Sequence, residues 1–71
     1  MTTQKQIAEI ERELAIVGVP VDRVLRSAGI NKATLWRWKA GLSSPLLHKW
    51  DAFTRAADRA RKAAARRLGA R

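Results

Sequence analysis

The sequence predicts a small all-α domain of four helices, with a helix-turn-helix in its middle and a long basic helix at its C-terminal end. Three observations support this prediction. Apolar residues recur at spacings of three and four in successive segments, Gly and Pro punctuate the chain between them, and no segment alternates as a half-buried strand does. We expect helices at about 3–17, 20–28, 32–40 and 45–67, within one domain spanning 1–71.

The first helix is predicted from a capping box and an apolar stripe. Thr3 is followed three residues later by Gln6, which is the spacing of a capping box. Apolar residues then recur at helical spacing, at Ile7, Ile10, Leu14 and Val17. Gly18 is placed to end this helix.

The second and third helices are predicted to be short and joined by a very tight turn. Pro20 suits the first turn of a helix, because its missing N–H is not needed there. Gly29 is expected to end the second helix, since a residue just past a helix end often needs a positive φ. Asn31 is a favoured N-cap for the third helix, and Gly41 is placed to end it.

The start of the fourth helix is predicted from Ser44 as its cap and Pro45 at its first helical position. Seven apolar residues fall within one narrow stripe: Leu46, Trp50, Phe53, Ala57, Ala60, Ala64 and Leu68. The opposite face carries His48, Arg55, Arg59, Lys62 and Arg66. Such a helix is roughly 35 Å long at 1.5 Å per residue, longer than a small core can cover. We expect its end to project, to dimerise or to fray.

Charge and its distribution point to a polyanionic partner. The chain has 15 Lys and Arg against 6 Asp and Glu, a formal net charge of +9. The residues up to Asp22 include two basic and four acidic side chains, so the excess of positive charge lies beyond that point. Neutralising phosphates releases condensed counterions, which favours binding. Taken alone, this charge does not separate DNA from RNA or anionic lipid.

The composition favours a cytoplasmic binding protein over an enzyme. A chain of 71 residues hides only about 60% of its surface on folding, which leaves little room for a deep catalytic cleft. There is no Cys, and the single His48 cannot form a zinc site without carboxylates or other ligands. No run approaches the roughly 20 apolar residues of a membrane span, and the N-terminus lacks a signal-peptide layout. We expect no metal, cofactor, small-molecule ligand or membrane partner.

The spacing around Gly29 fits a helix-turn-helix that reads DNA. With Gly29 as the central turn residue, every position that must be apolar to lock the two helices is apolar: Val24, Ala28, Ile30, Leu35 and Trp38. If Leu35 and Trp38 point inward, Ala33, Trp36 and Arg37 face outward at 100° per residue, with Lys32 beside them. Trp36 could there contact a base, a sugar or a partner, or cover the end of another helix.

The stretch from Gly29 to Trp38, followed by Gly41, resembles the helix-turn-helix family of phage lambda-type repressors and Cro proteins. The resemblance is firm over 21–41 and looser as far as Phe53. One departure is Leu25, where the family usually has Ala. The other is that the family's usual fifth helix is missing or fused into the long fourth helix.

The resemblance implies a sequence-specific regulator of transcription, a repressor of phage or prophage type, that binds double-stranded DNA as a homodimer. It implies that Lys32, Ala33 and Arg37 read bases, flanked by Asn31 and Trp36. An Arg can bridge O6 and N7 of guanine, and an Ala methyl can meet a thymine methyl. The following loop and the next helix start are expected near the phosphates. The candidate phosphate contacts are Lys39, Ser43, Ser44 and Lys49.

Two other function classes stay open. In the first, the protein is an interaction module, such as an antitoxin, an antirepressor or a packaging adaptor, and the Ala/Arg-rich fourth helix is its working surface. That helix could also form a dimer through Ala60, Ala64 and Leu68, where small residues allow close approach. In the second, the cationic segment from Ser44 onward binds RNA or an anionic membrane without any helix-turn-helix.

Overall fold

The computed structural model describes residues 3 to 69, which form four α-helices. They are α1 (Thr3–Ile16), α2 (Val21–Ala28), α3 (Lys32–Ala40) and α4 (Leu47–Gly69). No strand occurs in this part of the chain, so the predicted all-α fold is confirmed. None of these helices combines the length and the apolar character that crossing a lipid bilayer requires.

The core forms where α1 and α2 pack on α4 and where α3 packs on α1. An aromatic cluster ties α3 to α4. The ring of Trp38 meets Trp50 and Phe53 edge to face, at centroid distances of 6.1 and 6.2 Å, and the rings of Trp50 and Phe53 are 5.7 Å apart. Edge-to-face pairs at this distance add favourable contact beyond the apolar area that they bury. The position of α3 is therefore fixed from its buried side.

α1 begins at Thr3 as expected, although Thr3 lies within the helix rather than capping it. The expected starts of two other helices need correction. Pro20 is the N-cap of α2, with extended backbone at φ −67° and ψ 139°, so that helix begins at Val21 rather than at Pro20. Ser44 and Pro45 both precede α4, which begins only at Leu47. A proline's fixed φ suits the N-cap as well as the first helical position, so its presence locates a helix start only to within a residue or two.

The predicted stripe of α4 is in the core only along its middle. Its members in the core or packed against it are Trp50, Phe53, Ala57, Ala60 and Ala64. The stripe extends past the core at both ends, since Leu46 and Leu68 are 64% and 55% exposed, which agrees with a helix too long for the core to cover. Ala56, outside the stripe, is buried. The helix continues to Gly69, so in the described residues its end projects past Ala64 rather than fraying.

Candidate nucleic-acid interface

Two residues set the turn between α2 and α3. Gly29 has left-handed backbone, with φ 71° and ψ 33°, which strains any residue that has a Cβ. Just beyond it, the Ile30 N–H donates to the Leu25 carbonyl at 2.9 Å. The side-chain oxygen of Asn31 accepts a hydrogen bond from the Ala33 N–H at 2.8 Å, which caps α3. The structure confirms the helix end at Gly29 and the Asn31 cap.

The inward side of this helix pair is apolar, as predicted. Of the five positions expected to lock the helices together, four are buried: Val24, Ile30, Leu35 and Trp38. Ala28 is half-buried and packs against the same core. Leu25, where the resembled family usually has Ala, is 2% exposed, so the larger side chain is accommodated within the core.

The outward side of α3 carries the predicted base-contacting residues. All five are exposed: Asn31, Lys32, Ala33, Trp36 and Arg37. Trp36 is 62% exposed, whereas Trp38, two residues further along the helix, is 3% exposed. α3 therefore has one side fixed in the core and one side open to a partner.

Two lysines of α3 are paired with carboxylates from the N-terminal helices. The Nζ of Lys32 lies 2.9 Å from an Asp22 carboxylate oxygen, and the Nζ of Lys39 lies 3.0 Å from Glu11. Both lysines line a shallow groove beside Trp36. Exposed pairs of this kind contribute about 0–1 kcal/mol, so a phosphate can replace the carboxylate at little cost. The spacing of residues along α3 does not predict these ion pairs, because the carboxylates of Asp22 and Glu11 come from other helices.

Arg37 differs from these lysines. It is exposed, and within residues 3 to 69 no carboxylate lies at ion-pair distance from its guanidinium. Its planar donors are thus free to form two parallel hydrogen bonds with one acceptor group.

The part of the chain from residue 3 to residue 69 has no group of three His, Asp or Glu side chains that could hold a metal ion.

The remaining candidates lie where α3 approaches the start of α4. Asn31, Ser44 and Lys49 line one groove, together with Thr34 of α3. Ser43 is exposed in the same loop. Six of the nine predicted site residues therefore line two grooves. Asn31, Ser44 and Lys49 line the groove at the start of α4, and Lys32, Trp36 and Lys39 line the groove formed with α1 and α2. The other three, Ala33, Arg37 and Ser43, are exposed outside both grooves.

Comparison with known protein families, with characterised proteins and with solved structures finds no match to this chain. The likeness to lambda-type repressors and Cro proteins therefore rests on the sequence alone, where it is firm over 21–41. It stays a prediction about the use of α2 and α3.

Proposed function

We propose that this protein is a sequence-specific regulator of transcription, in which α2, the turn and α3 act as a helix-turn-helix on double-stranded DNA. The observation that best supports this function is the two-sided character of α3. Leu35 and Trp38 are buried, while Trp36 and Arg37 are exposed on the same nine-residue helix. To read base edges in the major groove, a helix must present side chains on one side while its opposite side is packed in the protein core.

The exposed side chains of α3 suit base edges in different ways. Arg37 can donate two hydrogen bonds to O6 and N7 of guanine, and Lys32 can reach guanine after leaving Asp22. The methyl group of Ala33 can meet a thymine methyl. Asn31 and Trp36 flank this set. A binding site that contains guanine follows from these pairings.

We assign contacts with the DNA phosphates beside the major groove to four exposed residues on or near α3. They are Lys39, Ser43, Ser44 and Lys49. Such contacts fix the register of a protein on the duplex without reading sequence. Two copies of the chain would read half-sites about 34 Å apart, one turn of DNA. We assign this homodimer to the cytoplasm and to a phage or prophage setting, as a repressor that occupies promoter DNA.

The test is selection of duplexes from a random-sequence library by the purified full chain, followed by fluorescence anisotropy with the enriched duplex. We expect the protein to enrich a motif that contains guanine. Arg37→Ala should weaken binding to that motif by about 1–3 kcal/mol and affect random duplex less. The absence of any enriched motif would contradict sequence-specific binding.

Arg12→Ala is the matched control for this experiment. Arg12 is also an exposed arginine, but it lies on α1. Its removal changes the net charge by the same amount, so a purely electrostatic effect should weaken binding to both duplexes in both variants. If Arg12→Ala and Arg37→Ala lose the same affinity for the enriched motif, Arg37 does not read bases.

A second candidate function is a protein-interaction module that works through α4, such as an antitoxin, an antirepressor or a packaging adaptor. The observation that favours it is the exposure of large apolar side chains near both ends of this helix. Leu47 is 84% exposed and Leu68 is 55% exposed. In this case Leu68→Ser should abolish the complex that this protein forms with a purified partner protein, while Arg37→Ala should leave that complex intact. The reverse pattern would contradict this candidate.

A further inference from the structure

The second half of α4 carries a dense excess of positive charge. No acidic residue follows Asp58 in the sequence, whereas five basic residues stand between 59 and 69. They are Arg59, Arg61, Lys62, Arg66 and Arg67. This segment lies outside the helix pair to which we assign DNA reading, so its charge needs a separate explanation.

Asp58 neutralises only part of this charge. Its carboxylate oxygens lie 2.7 Å from Arg61 and 3.0 Å from Lys62. A hydrogen bond from Lys62, and to a smaller extent one from Arg61, holds the pKa of Asp58 below its usual value, so the carboxylate is charged at neutral pH. Within residues 3 to 69, by contrast, Arg59, Arg66 and Arg67 have no carboxylate at ion-pair distance.

Two of these three arginines lie on one face of α4. Arg59 and Arg66 are seven residues apart, so they lie within about 20° of the same face and about 10 Å apart along the axis. Arg67 lies about 100° around the helix from Arg66, and all three are exposed. The row formed by Arg59 and Arg66, with Arg67 beside it, belongs to a helix rather than to a flexible tail.

This row leads away from α3. Trp50 and Phe53 are the residues of α4 that lie against Trp38 of α3, and Arg59 and Arg66 follow Phe53 by 6 and 13 residues. At 1.5 Å per residue, these two arginines are about 9 Å and about 20 Å further along the helix axis. Arg66 and Arg67 therefore lie on a cationic surface separate from the exposed side of α3.

We propose that Arg59, Arg66 and Arg67 form a second, sequence-independent binding surface for the phosphate backbone of duplex DNA. The guanidinium group matches phosphate geometry with two parallel hydrogen bonds, and within residues 3 to 69 no carboxylate competes for these arginines. A membrane surface fits this row less well. An amphipathic helix needs its apolar face free to enter lipid, and here Ala57 and Ala64 are buried in the core.

The test uses the salt dependence of binding to a random-sequence duplex, measured with the full chain by fluorescence anisotropy. Each arginine that contacts a phosphate steepens the slope of log affinity against log salt by about 0.9. The double variant Arg66→Gln/Arg67→Gln should therefore reduce the slope by about 1.8, and adding Arg59→Gln should bring the reduction to about 2.7. Circular dichroism of each variant verifies that the helices are retained.

The control is Arg12→Gln, which removes the same charge as Arg66→Gln from an exposed arginine of α1. We expect Arg66→Gln to reduce the slope by about 0.9 and Arg12→Gln to change it much less. Equal slopes for these two single variants, or an unchanged slope in the triple variant, would overturn the proposal.

A further comparison separates DNA from an acidic protein as the occupant. Binding to poly-glutamate should be much weaker than binding to duplex at the same salt concentration, and similar in wild type and triple variant. Equal affinity for poly-glutamate, lost in the triple variant, would overturn the assignment to phosphate. The outcome is independent of base reading, because random duplex contains no selected motif and Arg37 is unchanged in every variant.

Discussion

Two tryptophans on α3 provide a matched test of its orientation. Trp38 is 3% exposed and packs edge to face on Trp50 and Phe53, whereas Trp36 is 62% exposed. We expect Trp38→Ala to lower the free energy of unfolding by about 3–5 kcal/mol, because it leaves a cavity in the core. Trp36→Ala leaves none and should change the free energy of unfolding by about 0.5 kcal/mol or less.

The predicted loss at Trp38 is large for a chain of this length. At about 0.05–0.15 kcal/mol per residue, 71 residues are expected to have a total stability of about 4–11 kcal/mol. Trp38→Ala should therefore lower the Tm by at least about 12 °C, and Trp36→Ala should change the Tm by about 4 °C at most. If Trp38→Ala does not fold, Trp38→Phe replaces it in the comparison, with a smaller expected loss because an aromatic ring remains.

The assay is urea and thermal denaturation followed by far-UV circular dichroism, since each variant removes an indole that would report by fluorescence. The same samples are then titrated with duplex DNA. Trp36→Ala should retain stability and lose affinity. Equal destabilisation by the two substitutions would refute the orientation that we assign to α3.

Three further substitutions test other contacts. Asn31→Ala should lower the free energy of unfolding by about 1 kcal/mol through loss of the α3 cap, and Asn31→Ser should restore most of it, as measured by urea denaturation. Asp22→Asn should tighten binding to random duplex by releasing Lys32, and Glu9→Gln, with the same change in charge, should tighten it less. The pKa of Asp58 is lower in the folded than in the unfolded protein. Its ion pairs therefore stabilise the fold fully above the pKa that Asp58 has in the unfolded chain, and this stabilisation is lost as the pH falls through its folded-state pKa. Asp58→Asn should therefore show a smaller loss of Tm than wild type on acidification from neutral pH to below the ordinary Asp pKa; an equal loss would show that these pairs do not stabilise the fold.

Features that depend on local chemistry were predictable from the sequence. Gly29 and Asn31 act within one turn of their own positions, through backbone conformation and a single side-chain hydrogen bond. The burial of Leu35 and Trp38 follows from helical spacing, and so does the exposure of Arg37. These residues define the two sides of α3, so the amino-acid sequence alone predicts which side chains the candidate site exposes.

Features that depend on how helices pack were not predictable. The pairs Lys32–Asp22 and Lys39–Glu11 form only once α1 and α2 lie beside α3. Ala56 is buried because α1 and α2 both pack on α4, which widens its covered face beyond one stripe. The exact limits of burial along the stripe were not predictable either, since periodicity shows which side of a helix is apolar but not where the neighbouring helices stop.

If α3 presents its exposed side to a DNA groove, its backbone amides should respond when duplex DNA is added. Mapping of amide chemical shifts by NMR during this titration measures the response directly. We expect the largest shifts from Asn31 through Arg37, and smaller shifts there in Arg37→Ala. If the amides from Asn31 through Arg37 stay unperturbed while those of α4 alone respond, α3 is not the reading helix.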